Sequence, residues 1–290
     1  MISSCLNKRD FVSAYIFNER YEQTGGFNKQ VTSFFDENLP EITSTLAFYY
    51  LAGSNPVMKK LSKKIALLLF ILFFLSSFGQ NRDITLQIKP AFNKKELVLE
   101  KEKYVTEAGD TLQVDLLRFY ISAIEITFDN DAVFFEKNSY HLVDASVKKS
   151  LGIQVKNVPP GIIKTVNFNI GVDSTACVSG ALEGDLDPVN GMYWAWNSGY
   201  INAKLEGRSN SCKTLHHVFE FHIGGYLPAE KSVRRVTCSI KEDKNRLVLS
   251  ADISCWFTGI KLAETNSIVI PGAEACKMAD KYKNMFGASE

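Results

Sequence analysis

The chain contains no Cys-x-x-Cys pair, so neither a thiol redox motif nor a zinc knuckle is present. It has no Gly-x-Ser-x-Gly elbow and no His-Glu-x-x-His pair, which removes the hydrolase classes built on them. Charge of neither sign dominates. The 33 Lys and Arg against 32 Asp and Glu leave a net +1, and that gives no footprint for nucleic acid or an anionic membrane. No internal repeat and no low-complexity linker interrupts the sequence. Asp185 and Asp187 sit in a Gly-rich stretch without EF-hand spacing, so a solvated turn is expected there rather than calcium. No acid/base or nucleophile pair stands out, and the expectation is a protein that is not an enzyme.

What is present begins with an apparent second start. Met58-Lys59-Lys60-Leu61-Ser62-Lys63-Lys64 leads into an apolar run at 65–75 and then Ser76-Ser77-Phe78-Gly79-Gln80. A basic stretch, a short apolar run and small residues make a secretory signal peptide, predicted over 58–80. The run is short of the roughly 20 residues that span a bilayer, and it has no polar face of the kind a buried amphipathic helix shows. It carries no cysteine near its end, so no lipid-anchored cysteine is indicated. Residues 1–57 keep no sustained apolar period and read as an upstream extension, not a domain. The alternative is a cytoplasmic segment followed by a membrane anchor. The exported part, 81–290, is periplasmic or secreted on this reading. It has no membrane span and is long enough for one domain with a full core. Cys177, Cys212, Cys238, Cys255 and Cys276 remain in it, and no pairing follows from an odd set.

Strand-like alternation dominates this part. Ile84, Leu86 and Ile88 alternate up to Pro90. The stretch 116–128 is rich in β-branched and aromatic residues, and its apolar phase shifts near Ala123 and Ile124, as a β-bulge would shift it. Val166, Phe168 and Ile170 alternate, as do Ile201, Ala203 and Leu205, and 215–223, 236–240 and 247–253 look like further strands. Pro159-Pro160-Gly161 and Asn190-Gly191 mark turns, and 179–191 reads as an exposed loop. Only 274–286 reads as a helix. The predicted fold is all-β: an antiparallel two-sheet β-sandwich with a short C-terminal helix.

Two features carry the functional candidates. The segment Gly191-Met192-Tyr193-Trp194-Ala195-Trp196-Asn197-Ser198-Gly199-Tyr200 places two of the three tryptophans two residues apart. A structural aromatic plug is its plainest reading, although an indole N–H needs a partner when buried. The four histidines are His141, His216, His217 and His222. If 215–223 is one strand, His217 shares a face with Phe219, Phe221 and Ile223, and His216 shares the other with Val218, Glu220 and His222. His216 and His222 are then roughly 20 Å apart and cannot hold one ion. A site at His222 must recruit from other strands, with His141 a candidate. Taken singly, either histidine also reads as a hydrogen-bonded sandwich residue.

These residues resemble a family. Leu117-Arg118-Phe119-Tyr120-Ile121-Ser122, Leu142-Val143-Asp144, Phe168-Asn169-Ile170-Gly171-Val172-Asp173, the Trp-x-Trp segment and Phe221-His222-Ile223-Gly224 occur in the order found in the MbnP-like copper-binding proteins, exported β-sandwiches associated with methanobactin systems. The resemblance implies copper held by histidines together with a kynurenine made from a tryptophan by a diheme peroxidase-like partner. Carried onto this chain, His222 is the best-matched ligand and His141 a second candidate. Trp194 or Trp196 is the modified residue, and Asp144 a carboxylate able to orient a ligand histidine. The alternative is a metal-free interaction or structural β-sandwich module, with the Trp-x-Trp segment as core or contact patch.

Overall fold

The computed structural model describes residues 80–288 apart from Ser198 and Glu242. The upstream extension and, Gln80 aside, the predicted signal peptide lie outside the described residues. The strands are β1 (Arg82–Phe92), β2 (Lys95–Glu96), β3 (Lys103–Val105), β4 (Thr111–Phe128) and β5 (Val133–Phe135). They continue with β6 (Tyr140–Asp144), β7 (Gly152–Val158), β8 (Ile163–Ile170), β9 (Tyr193–Trp194) and β10 (Gly199–Ser209). The last are β11 (Val218–Gly224), β12 (Arg234–Ser239), β13 (Arg246–Asp252), β14 (Ser267–Ile268) and β15 (Phe286–Ala288). Helix α1 is one turn (Ser174–Val178), and α2 (Ala273–Tyr282) is the C-terminal helix.

Two sheets face each other. The smaller runs β15-β13-β1-β2, with β7 also on β1. The larger runs β12-β8-β4-β10-β11-β14, with β3, β5 and β6 on β4 and β9 on β10. Alternation explains the burial. Ile84, Leu86 and Ile88 of β1, Leu247, Leu249 and Ala251 of β13, and Phe219, Phe221 and Ile223 of β11 all point into one core. Its aromatic centre is Phe219, Phe221 and Phe257, with ring centroids 5.7–6.2 Å apart. Phe286 of β15 closes one side, edge-on to Phe168 at 4.8 Å and Phe119 at 5.8 Å.

The sandwich is mixed, not purely antiparallel. β1 pairs β13 in parallel over seven residue pairs, and β11 pairs β14 in parallel over two. Alternation reports which face a residue takes and not which way its strand runs, so direction was invisible until the pairing was known. Strand β1 also continues through Pro90. The proline's nitrogen lies past the end of the β7 ladder at Gln87–Gly152, and its carbonyl accepts from Leu97 N–H at 3.0 Å, so no ladder bond is lost.

The β4 spine carries the bulge read at Ala123, which has a φ of 50° where the β8 register shifts between Ser122 and Glu125. A second shift on β4 falls where Glu206–Leu116 is followed by Gly207–Val114. A further correction concerns 215–223. The strand starts only at Val218, and 215–217 is a tight turn in which His216 and His217 adopt positive φ.

Candidate functional site

A second, smaller core lies on the outer face of the large sheet. It gathers Tyr120, Val172, Ala176, Cys177, Leu186, Met192, Trp194, Tyr200 and Ile201. The stretch 179–191 is therefore only partly the exposed loop its composition suggests. Asp173 caps α1 by accepting from Ala176 N–H at 3.0 Å, and Asp187 caps the following turn through Val189 N–H at 2.9 Å. Between those turns Leu186 drops into the small core. Tyr120 and Tyr200 meet edge-on at 5.9 Å, and each hydroxyl donates to a loop carbonyl, Asp185 at 3.0 Å and Leu186 at 2.9 Å.

The sheet register lines up a row of charges beside this core. Asp144 lies opposite Arg118, Arg118 opposite Lys204, and Lys204 opposite His222, across β6, β4, β10 and β11. Directly opposed residues share a face, so all four line the face away from Phe119, Ala203 and Phe221. Arg118 Nε donates to Asp144 Oδ2 at 2.6 Å, and its second arm reaches Asn190 O at 3.0 Å, just before the Trp-x-Trp segment. Burial opposes ionisation of Asp144, but hydrogen bonds from Ser146 and Arg118 hold its carboxyl below the usual range.

At the other end of the row, His222 Nε2 lies 2.7 Å from Glu206 Oε1, and Lys204 Nζ lies 3.1 Å from the same oxygen. The His222 hydrogen bond, with Lys204 beside it, overrides partial burial and lowers the Glu206 pKa to about 2. An ionised carboxylate only accepts, so the proton of that hydrogen bond sits on His222 Nε2 and the neutral ring keeps its lone pair on Nδ1. Because the folded-state pKa lies below the ordinary 4.5, this contact contributes stability above about pH 4.5 that is lost as pH falls towards 2. In urea unfolding at pH 7 and pH 3, Glu206→Gln should lose on the order of 2 kcal/mol less than wild type on acidification. An identical acid loss in the two proteins would show that Glu206 is not so paired.

The Trp-x-Trp segment is a hairpin. Trp194 lies opposite Gly199, and Asn197 N–H donates to Trp194 O at 3.3 Å to close the turn. Trp194 is 7% exposed and Trp196 64%, with ring centroids 5.6 Å apart. The indole of Trp194 lies over Gly224, where a Cβ would stand 2.5 Å from its Cζ3. Gly224 follows His222 by two residues on the same strand face. The fold thus brings Trp194, rather than Trp196, against the strand that carries His222.

It does not bring His141 there. His141 lies opposite Ile121, a core residue, and so belongs to the inner face of its sheet. It is also three strand spacings, roughly 14 Å, from β11. Its Nε2 meets Glu136 Oε2 at 2.8 Å, an oxygen that also accepts from Ser139 Oγ at 2.5 Å. Asp144 contacts Arg118 and Ser146 rather than either histidine, so the carboxylate that orients His222 is Glu206. The sequence alone does not point to Glu206, because a cross-strand pair depends on the register. The signal available was Lys204, Glu206 and Arg208 alternating with Ala203, Leu205 and Gly207. Among the described residues, no group of three or more His, Cys, Asp or Glu side chains could hold a metal ion. Among them, too, no helix is long and apolar enough to cross a membrane.

All five sequence motifs therefore meet around one face: Arg118 and Tyr120, Leu142 and Asp144, Val172, Met192 with Trp194 and Tyr200, and His222 with Gly224. The MbnP family model matches residues 81–275. The chain belongs to the MbnP family. Among solved structures, MbnP from Methylosinus trichosporium is similar at 12% identity over 67% of this chain and 82% of that one, with a TM-score of 0.46. No curated protein matches.

Proposed function

We propose that this MbnP-family protein is an exported, non-enzymatic copper-binding protein, working in the periplasm or outside the cell. His222 is its anchoring ligand, and Trp194 is the residue that a diheme peroxidase-like partner converts to kynurenine. One observation carries the reading: the indole of Trp194 lies over Gly224 on the face of β11 that also carries His222, with His222 Nε2 committed to Glu206 and Nδ1 left to bind. A carboxylate behind an imidazole is the arrangement that fixes a ligand histidine's tautomer and raises its basicity.

The unmodified donor set fits copper only in part, because among the described residues no two further ligand side chains gather at the one imidazole of His222. An aromatic amine formed from Trp194 adds a nitrogen donor on the same face, and nitrogen donors suit copper. The proposal therefore makes binding depend on modification. Co-expressed with the partner, the protein should gain about 4 Da in the peptide that holds Trp194 and retain about one copper per chain. The unmodified protein should retain copper at least about tenfold more weakly. In the modified protein His222→Gln should lose retained copper by at least about the same factor, read by elemental analysis after gel filtration. Undiminished copper in that variant sinks the ligand assignment.

A second reading, a metal-free interaction module, is favoured by the absence of a three-ligand group among the described residues and by the exposure of Trp196. It expects an unmodified mass and no copper after the same co-expression.

A further inference from the structure

Two histidines belong to no motif of the family and to no part of the face just described. His216 and His217 lie in the connection from β10 to β11, at the end of that hairpin away from Trp194. Both are exposed and both are left-handed, with φ of 60° and 57°. Two such residues in succession, neither of them glycine, each cost on the order of 1 kcal/mol, and strain of this kind gathers at functional sites. Local bonds hold the conformation. His217 N–H donates to Thr214 O at 3.1 Å, and the Thr214 hydroxyl donates to Val218 O at 2.6 Å.

The ring of His217 is also oriented. Its Nδ1 lies 2.9 Å from the carbonyl oxygen of Cys212. A carbonyl only accepts, so Nδ1 carries the proton and the neutral ring has its lone pair on Nε2. His141 and His222 are bound instead to glutamates. A backbone carbonyl behind an exposed imidazole is the outer arrangement typical of a ligating histidine. The neighbouring residue supplies a second imidazole.

We propose that His216 and His217 form a surface chelate for a borderline divalent cation of the zinc and copper(II) class, separate from the His222 face and independent of any change at Trp194. Imidazole pairs suit that class, and water completes the coordination. This site would add a second, weaker equivalent to a copper measurement on the whole protein.

The test uses Zn2+ alone with the unmodified protein, followed by calorimetry and by the histidine ring resonances in NMR. Asparagine is the replacement to use, because it tolerates the left-handed region. We expect one saturable Zn2+ equivalent, with the His216 and His217 resonances moving and those of His222 still. His216→Asn and His217→Asn should each weaken it at least about tenfold, and His222→Gln should leave it within about twofold. Far-ultraviolet circular dichroism and thermal melting confirm that the variants fold. Zn2+ binding unaltered in both asparagine variants, or lost only in His222→Gln, overturns the proposal. So does the absence of a saturable equivalent at millimolar Zn2+. Because the protein tested lacks kynurenine, failure here leaves the His222 reading standing, and failure of that reading leaves this one standing.

Discussion

Gly224→Ala should destabilise the protein by about 3 kcal/mol and expel Trp194 from the outer core. The added Cβ would stand 2.5 Å from Trp194 Cζ3 and 2.6 Å from the backbone oxygen of Tyr200. The first contact can be relieved by moving the indole. The second cannot, because Tyr200 immediately precedes Ile201, whose pairing with Gly224 is the first register position of the β10–β11 ladder. Either the hairpin opens at that end or the strands separate locally. For a domain of this size about 3 kcal/mol lowers the melting temperature by roughly 10 °C. Tryptophan emission gives a second readout: Trp256 is buried and Trp196 already exposed, so a red shift reports Trp194. Trp196→Phe in the same background removes the exposed contribution. Stability within about 0.5 kcal/mol of wild type, with unchanged emission, would mean that Trp194 does not rest on Gly224. That result would also remove the geometric basis of the proposal that Trp194 is modified.

The parts of this arrangement legible beforehand were those set by side-chain type at short range. Ile84, Leu86 and Ile88 revealed their buried face because a strand repeats every two residues, and the phase slip at Ala123 revealed its bulge. Strand direction was not legible, and neither was the passage of β1 through Pro90, since both depend on which neighbour supplies the ladder. The outer core was hidden for a different reason. Its loop is rich in Gly, Asp and Pro, and Leu182 and Leu186 show no sustained apolar period, yet the capping aspartates fold the loop over Tyr120 and Tyr200. His222 was singled out by its motif, but Glu206, which orients it, lies 16 residues away and becomes its neighbour only through the β10–β11 register. The left-handed turn at His216 has the sequence pattern of a strand because Leu215, His217 and Phe219 alternate. Local alternation carries no information about a reversal held by Cys212 and Thr214 carbonyls.

The largest loss of stability is expected at Gly171, where the two cores are joined. Its φ is +112°, outside the range that side chains accept, and a Cβ would stand 2.5 Å from Cγ of Asn202. Asn202 is the extra residue at the β10 register shift between Ile201 and Ala203 and is almost fully buried. Its Oδ1 accepts from Val172 N–H at 2.8 Å, and its Nδ2 donates to Ser232 Oγ at 2.8 Å. The backbone carbonyl of Ser232 in turn accepts from the hydroxyl of Tyr282 on α2. One amide thus ties the β8 end, the bulge in β10 and the C-terminal helix together. Gly171→Ala imposes backbone strain of about 2 kcal/mol, and by displacing Asn202 it leaves buried polar groups unpaired at about 1–3 kcal/mol each. A total near 5 kcal/mol is comparable with the whole stability of many domains, so the variant should accumulate poorly and melt at least about 15 °C lower. Asn202→Ala should cost about 3 kcal/mol alone. Combining the two removes the contacts with Cγ and Oδ1 but leaves the Cβ of residue 202 at 2.8 Å and the backbone strain; because the amide's hydrogen bonds are then lost once and not twice, the double variant should be more stable than the sum of single losses by at least about 1 kcal/mol. Strictly additive losses would show that Asn202 does not press on Gly171. The glycine would then be required by its dihedral angle only, and the link between the cores would have to run through other contacts.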